Sequence, residues 1–340
     1  MRGVVYGLGA AVSFGVSAPL ATRLLGHADP QALTGLLYAG AALALAPYAR
    51  SPAVRSTAVA LPRIEVPRLV VVVLSGGVVA PVLLMLGLRR VGGLTGSLLL
   101  NTEALLTIVF ALVLFGERLS RRTMLAAALT IGAAAVLATD AHGASAHVSG
   151  VLFVLGACAG WALDNNLTAR LAAWDPGRLV LIKAVTSALV NTTIALLRGA
   201  RFPSGGLIVA ALGLGAVSYG ASVLLDAYAL RELGAAREAA LFAVAPFAGA
   251  ALAPFVTSSR FDNPTTIATM IMVVGVGLLF LPERARAHSH EAIEHDHPHE
   301  HDEHHHHDHQ PTDPAETRHS HPHRHEPLAH AHPYRTDGHH

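Results

Sequence analysis

Residues 69–88 read LVVVVLSGGVVAPVLLMLGL, twenty positions without one ionisable side chain. A bilayer core about 30 Å thick takes about 20 apolar residues of helix, at about 1.5 Å each. The run is closed by Arg68 on one side and by Arg89 and Arg90 on the other. It therefore predicts a helix that crosses a membrane. Nine more segments read the same way: Gly3–Leu25, Gln31–Ala49, Gly93–Phe115, Thr123–Thr139, Val148–Leu171, Leu179–Leu197, Gly206–Leu230, Ala235–Thr257 and Pro264–Leu281. In lipid each backbone N–H and C=O must be satisfied within the segment, so these are helices. The alternating strands of a membrane barrel do not occur. The expected fold class is an all-α membrane protein of about ten transmembrane helices, followed by a polar tail.

Composition agrees. The 340 residues are 52% hydrophobic, 14% charged and 5% aromatic, too apolar for a soluble protein of this length. The net charge of +1 hides two opposed regions. The part before His288 carries an excess of arginine at segment ends, and residues 288–340 carry an excess of Asp and Glu. Arginines at helix ends do not suggest nucleic acid. The single cysteine, Cys158, lies in an apolar segment and reads as a packing residue. The first apolar run, after Arg2, reads as an uncleaved helix because nine similar runs follow it.

With the N-terminus inside, fourteen arginines fall on inner loops and ends and six on outer ones. This asymmetry places both termini in the cytoplasm and the protein in an inner or plasma membrane. Loops are short and begin with turn dipeptides such as Asp29-Pro30, Asp175-Pro176 and Asn263-Pro264.

The chain also repeats itself. Phe14-Gly15 and Leu20–Leu24 align with Trp161-Ala162 and Leu167–Leu171 at an offset of 147, and Leu88–Gly92 aligns with Leu230–Gly234 at an offset of 142. The unit is five helices. Five is odd, so the second copy enters the membrane from the other side, as in many secondary transporters. The domains expected are residues 1–140 and 147–283, two inverted five-helix repeats, and 288–340, a disordered tail. Gly3/Gly7, Gly92/Gly96 and Gly156/Gly160 are spaced for close helix approach.

Two segments carry a resemblance. Asn101-Thr102-Glu103-Ala104 runs into Phe115-Gly116-Glu117-Arg118-Leu119, and Asp226–Ala235 reads DAYALRELGA. Over roughly residues 3–282 the chain resembles the drug/metabolite transporter superfamily, EamA type. The first segment is similar to that family's fourth helix and its exit, the second to the exit of its eighth. Pro246 matches a frequent proline of the ninth helix, whereas its counterpart in the first half, Glu103, departs from proline. The resemblance implies ten helices, cytoplasmic termini and transport of small solutes.

Ionisable groups inside the hydrocarbon are costly and mark pathways or partners. Glu103, Asp164, Lys183 and Asp226 are such groups, and Lys183 is the only lysine. Lysine can deprotonate when buried and arginine effectively cannot. Lys183, Ser187 and Asn191 recur every four residues, as do Ser218, Ser222 and Asp226. Each set is a polar stripe on an apolar helix. Glu103 shares a face with Thr107, Asp164 shares one with Thr168, and Ser13 and Ser17 mark the first helix. The expected transport cavity comprises Glu103, Asn101, Asp164, Asn165, Asn166, Lys183, Asn191 and Asp226. Carboxylates there would bind a cation or exchange a proton, and Asp164 with Lys183 would form an ion pair. The bland alternative is a hydrogen-bond network that only holds helices together. The serines and threonines are expected to bond their own helix backbone.

Residues 288–340 hold 19 of the 22 histidines, interleaved with Asp and Glu. His295, His297, His299 and His301 alternate, as do His319, His321, His323 and His325, and His304, His305, His306 and His307 form a block. Neutral imidazole suits Zn, Ni, Co or Cu, so the tail is expected to bind a divalent metal. So polar a segment is expected to be disordered. No resident cofactor is required. The leading expectation is a secondary transporter exporting divalent transition metals gathered by the tail. Two alternatives stand beside it: a metabolite or amino-acid exporter whose tail senses or stores metal, and a membrane-held metal store without transport. Expected partners are lipid, the cargo, protons as coupling ion and a second copy of the chain. No glycine-rich nucleotide motif or nucleophile elbow occurs, so an enzyme is not expected.

Overall fold

The computed structural model describes residues 2–50, 62–115, 121–138, 144–169, 171, 175–233 and 241–280, and in the tail 286–290, 294–299, 319–324 and 328–332. The chain divides into two compact units, Met1–Phe280 and Leu281–His340.

Among its described residues the first unit is all helix. In chain order it holds α1 (Arg2–Gly15), α2 (Ser17–Leu24), α3 (Pro30–Arg50), α4 (Val66–Val72), α5 (Ala80–Leu99), α6 (Thr102–Phe115), α7 (Arg121–Ala138), α8 (Ala144–Ala169), α9 (Pro176–Leu197), α10 (Gly205–Gly215), α11 (Ser222–Leu233), α12 (Ala245–Thr257) and α13 (Asn263–Phe280). Helix covers most of the described residues in each of the ten apolar segments, with 139, 170, 235–240 and 281 outside the described set. Among the described residues five helical stretches are long and apolar enough to cross a bilayer: Arg2–Leu24, Arg63–Leu99, His147–Thr168, Gly177–Leu197 and Gly205–Ala229. Met124–Ala138, Ala245–Thr257 and Asn263–Leu278 are shorter apolar helices. Large side chains such as Val5, Leu43, Val113, Leu189, Val209 and Phe255 stand exposed, as lipid-facing positions of a membrane protein would.

The packing repeats as the sequence does. α1 lies on α11, and its counterpart α8 lies on α5. α1 and α2 touch α12, and α8 touches α6. α3 pairs with its own counterpart α9, and α7 with α13. Irregularities repeat too. α4 and α5 are joined by a wide π turn at Val73–Val79, and α10 and α11 by another at Ala216–Ala221. Ser75 and Gly77 in the first correspond to Ser218 and Gly220 in the second, 143 residues on. The same offset relates the turn at Leu100-Asn101, before α6, to that at Ala243-Val244, before α12. Pro81 explains part of the first π turn, because it has no N–H to close an α turn on the Gly77 carbonyl. Pro246 explains the break before α12 in the same way, whereas α6 begins without proline.

One glycine reading needs correction. Gly92 has φ +78 and ψ 174, so it turns the chain between two helical rods rather than pairing with Gly96 on one helix. An L side chain rarely adopts that backbone conformation.

Two polar clusters mark opposite ends of the unit. At one end Asp29 accepts from Arg89 Nη1 at 3.1 Å and from the Arg201 backbone N–H at 2.9 Å, while Arg201 Nη2 donates to the Gly26 carbonyl at 3.2 Å. The Arg201 N–H lowers the Asp29 carboxyl from its ordinary value most; partial desolvation opposes it, and Arg89 adds a further lowering. A carboxyl lowered in the folded chain contributes stability above its unfolded value, about 3.9, and loses it as pH falls through the folded value. Unfolding in detergent at falling pH should therefore show an acid-labile contribution that Asp29→Asn removes. Equal acid sensitivity of variant and parent would refute this. At the other end the Tyr48 hydroxyl donates to Asp175 at 3.1 Å and accepts from the Tyr228 hydroxyl at 3.2 Å. Asp175 also caps α9 by accepting from the Arg178 N–H at 2.9 Å.

The tail was expected to be disordered; its described residues instead pair as strands. Arg286–His290 pairs antiparallel with Leu328–His332, and Glu294–His299 with His319–Arg324. The physical reason is the alternation of histidine with other residues, which has the period of a strand. The register sets His295 opposite His323, His297 opposite His321 and His299 opposite His319. His301, His304, His305, His306, His307 and His325 lie outside the described residues.

Candidate functional site

Glu103, Asp164, Lys183 and Asp226 lie on α6, α8, α9 and α11, of which α6 packs on α8 and α9 on α11. Lys183, on α9, donates to the Asp164 carboxylate on α8, and this ion pair has side-chain exposures of 15% and 3%. Thr168, one turn on, donates to the other Asp164 oxygen at 3.0 Å. The pair is seated against the first π turn. Gly76 lies so close to Asp164 that a Cβ there would overlap the carboxylate, and Gly77 lies against the Lys183 backbone.

Glu103 stands in the first turn of α6, where a helix N-terminus favours a negative charge. Its carboxylate accepts from Asn165 Nδ2 at 3.0 Å, and the charges of Asp226, Asp164 and Lys183 all act on it. The four ionisable groups singled out in the sequence thus form one electrostatic cluster. Asn165 joins it, half of a hydrogen-bonded link between α8 and α6.

Three other expected cavity residues are placed differently. Asn166 donates to the carbonyls of Thr107 and Ala162, at 2.9 and 2.8 Å, and so ties α8 to α6. Asn191 is fully buried, accepting from Gln31 at 2.7 Å and donating to Ser187 at 3.0 Å, a tie between α9 and α3. Asn101 donates to the Leu98 carbonyl at 3.1 Å and faces Met272 on α13. The serine expectation also needs correction. Ser218 and Ser222 donate across to the Ser13 and Ala10 carbonyls of α1, at 2.6 and 2.9 Å, rather than to their own helix. Thr22, Thr34 and Thr107 do bond their own helix.

Beside the charged cluster lies an aromatic one that the sequence did not announce. Phe14 touches Trp161, Tyr219 and Phe242, with ring centroids at 5.9, 6.0 and 5.4 Å, and Tyr219 touches Tyr38 at 5.3 Å. Trp161 Nε1 and the Tyr38 hydroxyl both donate to the Gly76 carbonyl, at 3.0 and 3.4 Å. The π turn therefore offers its carbonyl to the aromatic layer and its bare Cα to the ion pair. Five helical rods contribute one ring each. The only hint in the sequence was that Phe14 and Trp161 are repeat counterparts.

Comparison with known proteins places this arrangement. The EamA-like transporter family matches residues 1–139 and 148–281. This chain belongs to the EamA-like transporter family. The family and the apolar helices make it an integral membrane protein. An uncharacterized transporter of Methanothermobacter thermautotrophicus is 30% identical over 221 residues, 62% of this chain and 64% of that protein. The match therefore spans a little under two thirds of that relative's length. A solved crystal structure shares the fold, with a TM-score of 0.61 and 19% identity over 82% of this chain and 98% of that one. Among the described residues no group of three or more His, Cys, Asp or Glu side chains is placed to hold a metal ion.

Proposed function

We propose that this EamA-like transporter is a secondary carrier of a small organic solute, built as two inverted five-helix repeats with ten crossings and both termini in the cytoplasm. The observation that carries the reading is the cluster of Glu103, Asp164, Lys183 and Asp226 set beside a layer of five aromatic rings. Carboxylates at helical spacing can take up and release a cation or a proton. Aromatic faces accommodate an organic skeleton, and a hydrated metal ion gains nothing from them. This favours the metabolite or amino-acid alternative over metal export. The tail then binds Zn, Ni, Co or Cu as a sensor or store, through its interleaved histidines.

A metal cargo remains the second reading, because 19 histidines on a transporter are an unusual endowment. The test is flux into proteoliposomes of a panel of organic solutes and divalent metals, with and without a pH gradient. Organic flux that survives deletion of residues 288–340 supports the first reading. Metal flux lost with the tail supports the second. Glu103→Gln is expected to lower gradient-driven flux at least about tenfold, the effect of losing about 1.4 kcal/mol. Undiminished gradient-driven flux in Glu103→Gln would remove this carboxylate from the coupling mechanism.

A further inference from the structure

The repeat relates two crossings that have diverged. An offset of 147 carries Ser17 to Asp164, and one of 143 carries Gly76 to Tyr219. At the Asp164 copy the polar requirements are complete: the carboxylate fills the space over Gly76 and is bonded by Lys183 and Thr168. At the Ser17 copy the π turn presents a tyrosine ring instead. There the two hydroxyls end without partners. Ser17 is fully buried and Tyr219 is 3% exposed, and neither Ser17 Oγ nor the Tyr219 phenol has a hydrogen bond of accepted geometry. Ser17 lies within reach of the Tyr219 phenol, and a bond between the two would use one O–H and leave the other donor without an acceptor. Buried polar atoms in folded proteins are nearly always bonded, so two adjacent orphans call for an explanation.

Their surroundings supply one. Phe14, one helical turn before Ser17, and Tyr38 both lie against the Tyr219 ring, and Trp161 also touches Phe14. The two hydroxyls therefore belong to an aromatic neighbourhood and carry no charge. We propose, on the transporter reading above, that Ser17 and Tyr219 are the hydrogen-bonding half of the substrate site. The ligand class that fits is a flat, apolar group bearing one uncharged hydrogen-bonding atom, such as a hydroxyl, carbonyl or amide. Any charged end of the same solute is left for the quasi-equivalent Asp164–Lys183 position. Phe14 packs on the phenol ring in this structure, so the solute enters by displacing it.

The chain has two tryptophans, so Trp174→Phe leaves Trp161 as sole reporter beside Phe14. In this full-length background, in detergent, benzamide is expected to change Trp161 emission saturably. N-methylacetamide, which lacks the ring, and Zn²⁺ are expected to leave it unchanged. Tyr219→Phe with Ser17→Ala keeps the rings and removes both hydroxyls; it should weaken benzamide at least tenfold at an unchanged unfolding temperature. Ser17→Ala alone gives the reading if the double variant does not fold. Unchanged benzamide affinity without the hydroxyls overturns the proposal, as does a response to Zn²⁺ alone or no saturable response to benzamide. The transporter reading stands or falls separately, on solute flux by the parent chain in proteoliposomes.

Discussion

Lys183→Met is expected to destabilise the folded chain by about 3–5 kcal/mol, the usual cost of stripping one partner from a buried ion pair. The cost arises from the partner left behind. Asp164 has a side chain 3% exposed, and without the ammonium only Thr168 of its two side-chain donors remains. Removing both charges is a different experiment. Lys183→Met with Asp164→Leu replaces the pair by apolar groups, and such replacements are often neutral or better. Thermal unfolding in one detergent should therefore rank the double variant close to the parent and the single variant far below. A single variant as stable as the parent would mean that Asp164 finds another cation, and the pair would lose its place at the centre of the cluster. Transport should fail in both, because the charge that would answer the solute or proton is gone in each.

Gly76→Ala should come next in size. A Cβ at this position would run into the Asp164 carboxylate and reach 2.7 Å from the Asp164 Cβ. The Cβ is not the far end of a flexible side chain, so α8 or the π turn has to move. Overpacking of this kind costs about 1–3 kcal/mol, and any shift of Asp164 away from Lys183 adds to it. Gly77→Ala is the matched control. Its Cβ would meet Lys183 atoms at 3.5, 3.7 and 3.8 Å, ordinary contact distances, and glycine replacement in a compatible helix gains about 0.4–1 kcal/mol. Adjacent substitutions of the same type should thus move unfolding in opposite directions. If both lowered it equally, loss of backbone freedom in the π turn would be the better account than the seat of the ion pair.

Much of the fold was legible because lipid imposes one dominant constraint. A segment such as 69–88 has no alternative to helix once water is excluded, and arginines at segment ends mark where it stops. The repeat was legible from Phe14 against Trp161 and Leu88 against Leu230. The two π turns were not, since Ser75-Gly76-Gly77 and Ser218-Tyr219-Gly220 look like ordinary small-residue helix; only the offset, once applied, sets them side by side. At the candidate site the charged residues were easier to set together from the sequence than the amides, of which Asn165 alone bonds Glu103. A charge in hydrocarbon is costly enough to require a partner, and Asp164 has Lys183 while Glu103 has the Asn165 amide. Asn101, Asn166 and Asn191 can be satisfied by any nearby carbonyl, hydroxyl or amide, and periodicity does not say which. The aromatic layer was hidden for another reason: its rings come from positions 14, 38, 161, 219 and 242, one per rod, with no local pattern. The dipeptide Asp-Pro was read as a turn in both halves, yet Asp175 caps its own helix whereas Asp29 bridges to Arg201.

The solitary lysine gives this molecule a built-in chemical reporter. An acylating ester added to the folded chain meets a single side-chain amine, and that amine is occupied by a carboxylate. Labelling speed at that one atom therefore counts the moments when the bridge is open. A solute or a proton that engages the partner carboxylate would register as faster modification, read by mass on the peptide that carries the lysine.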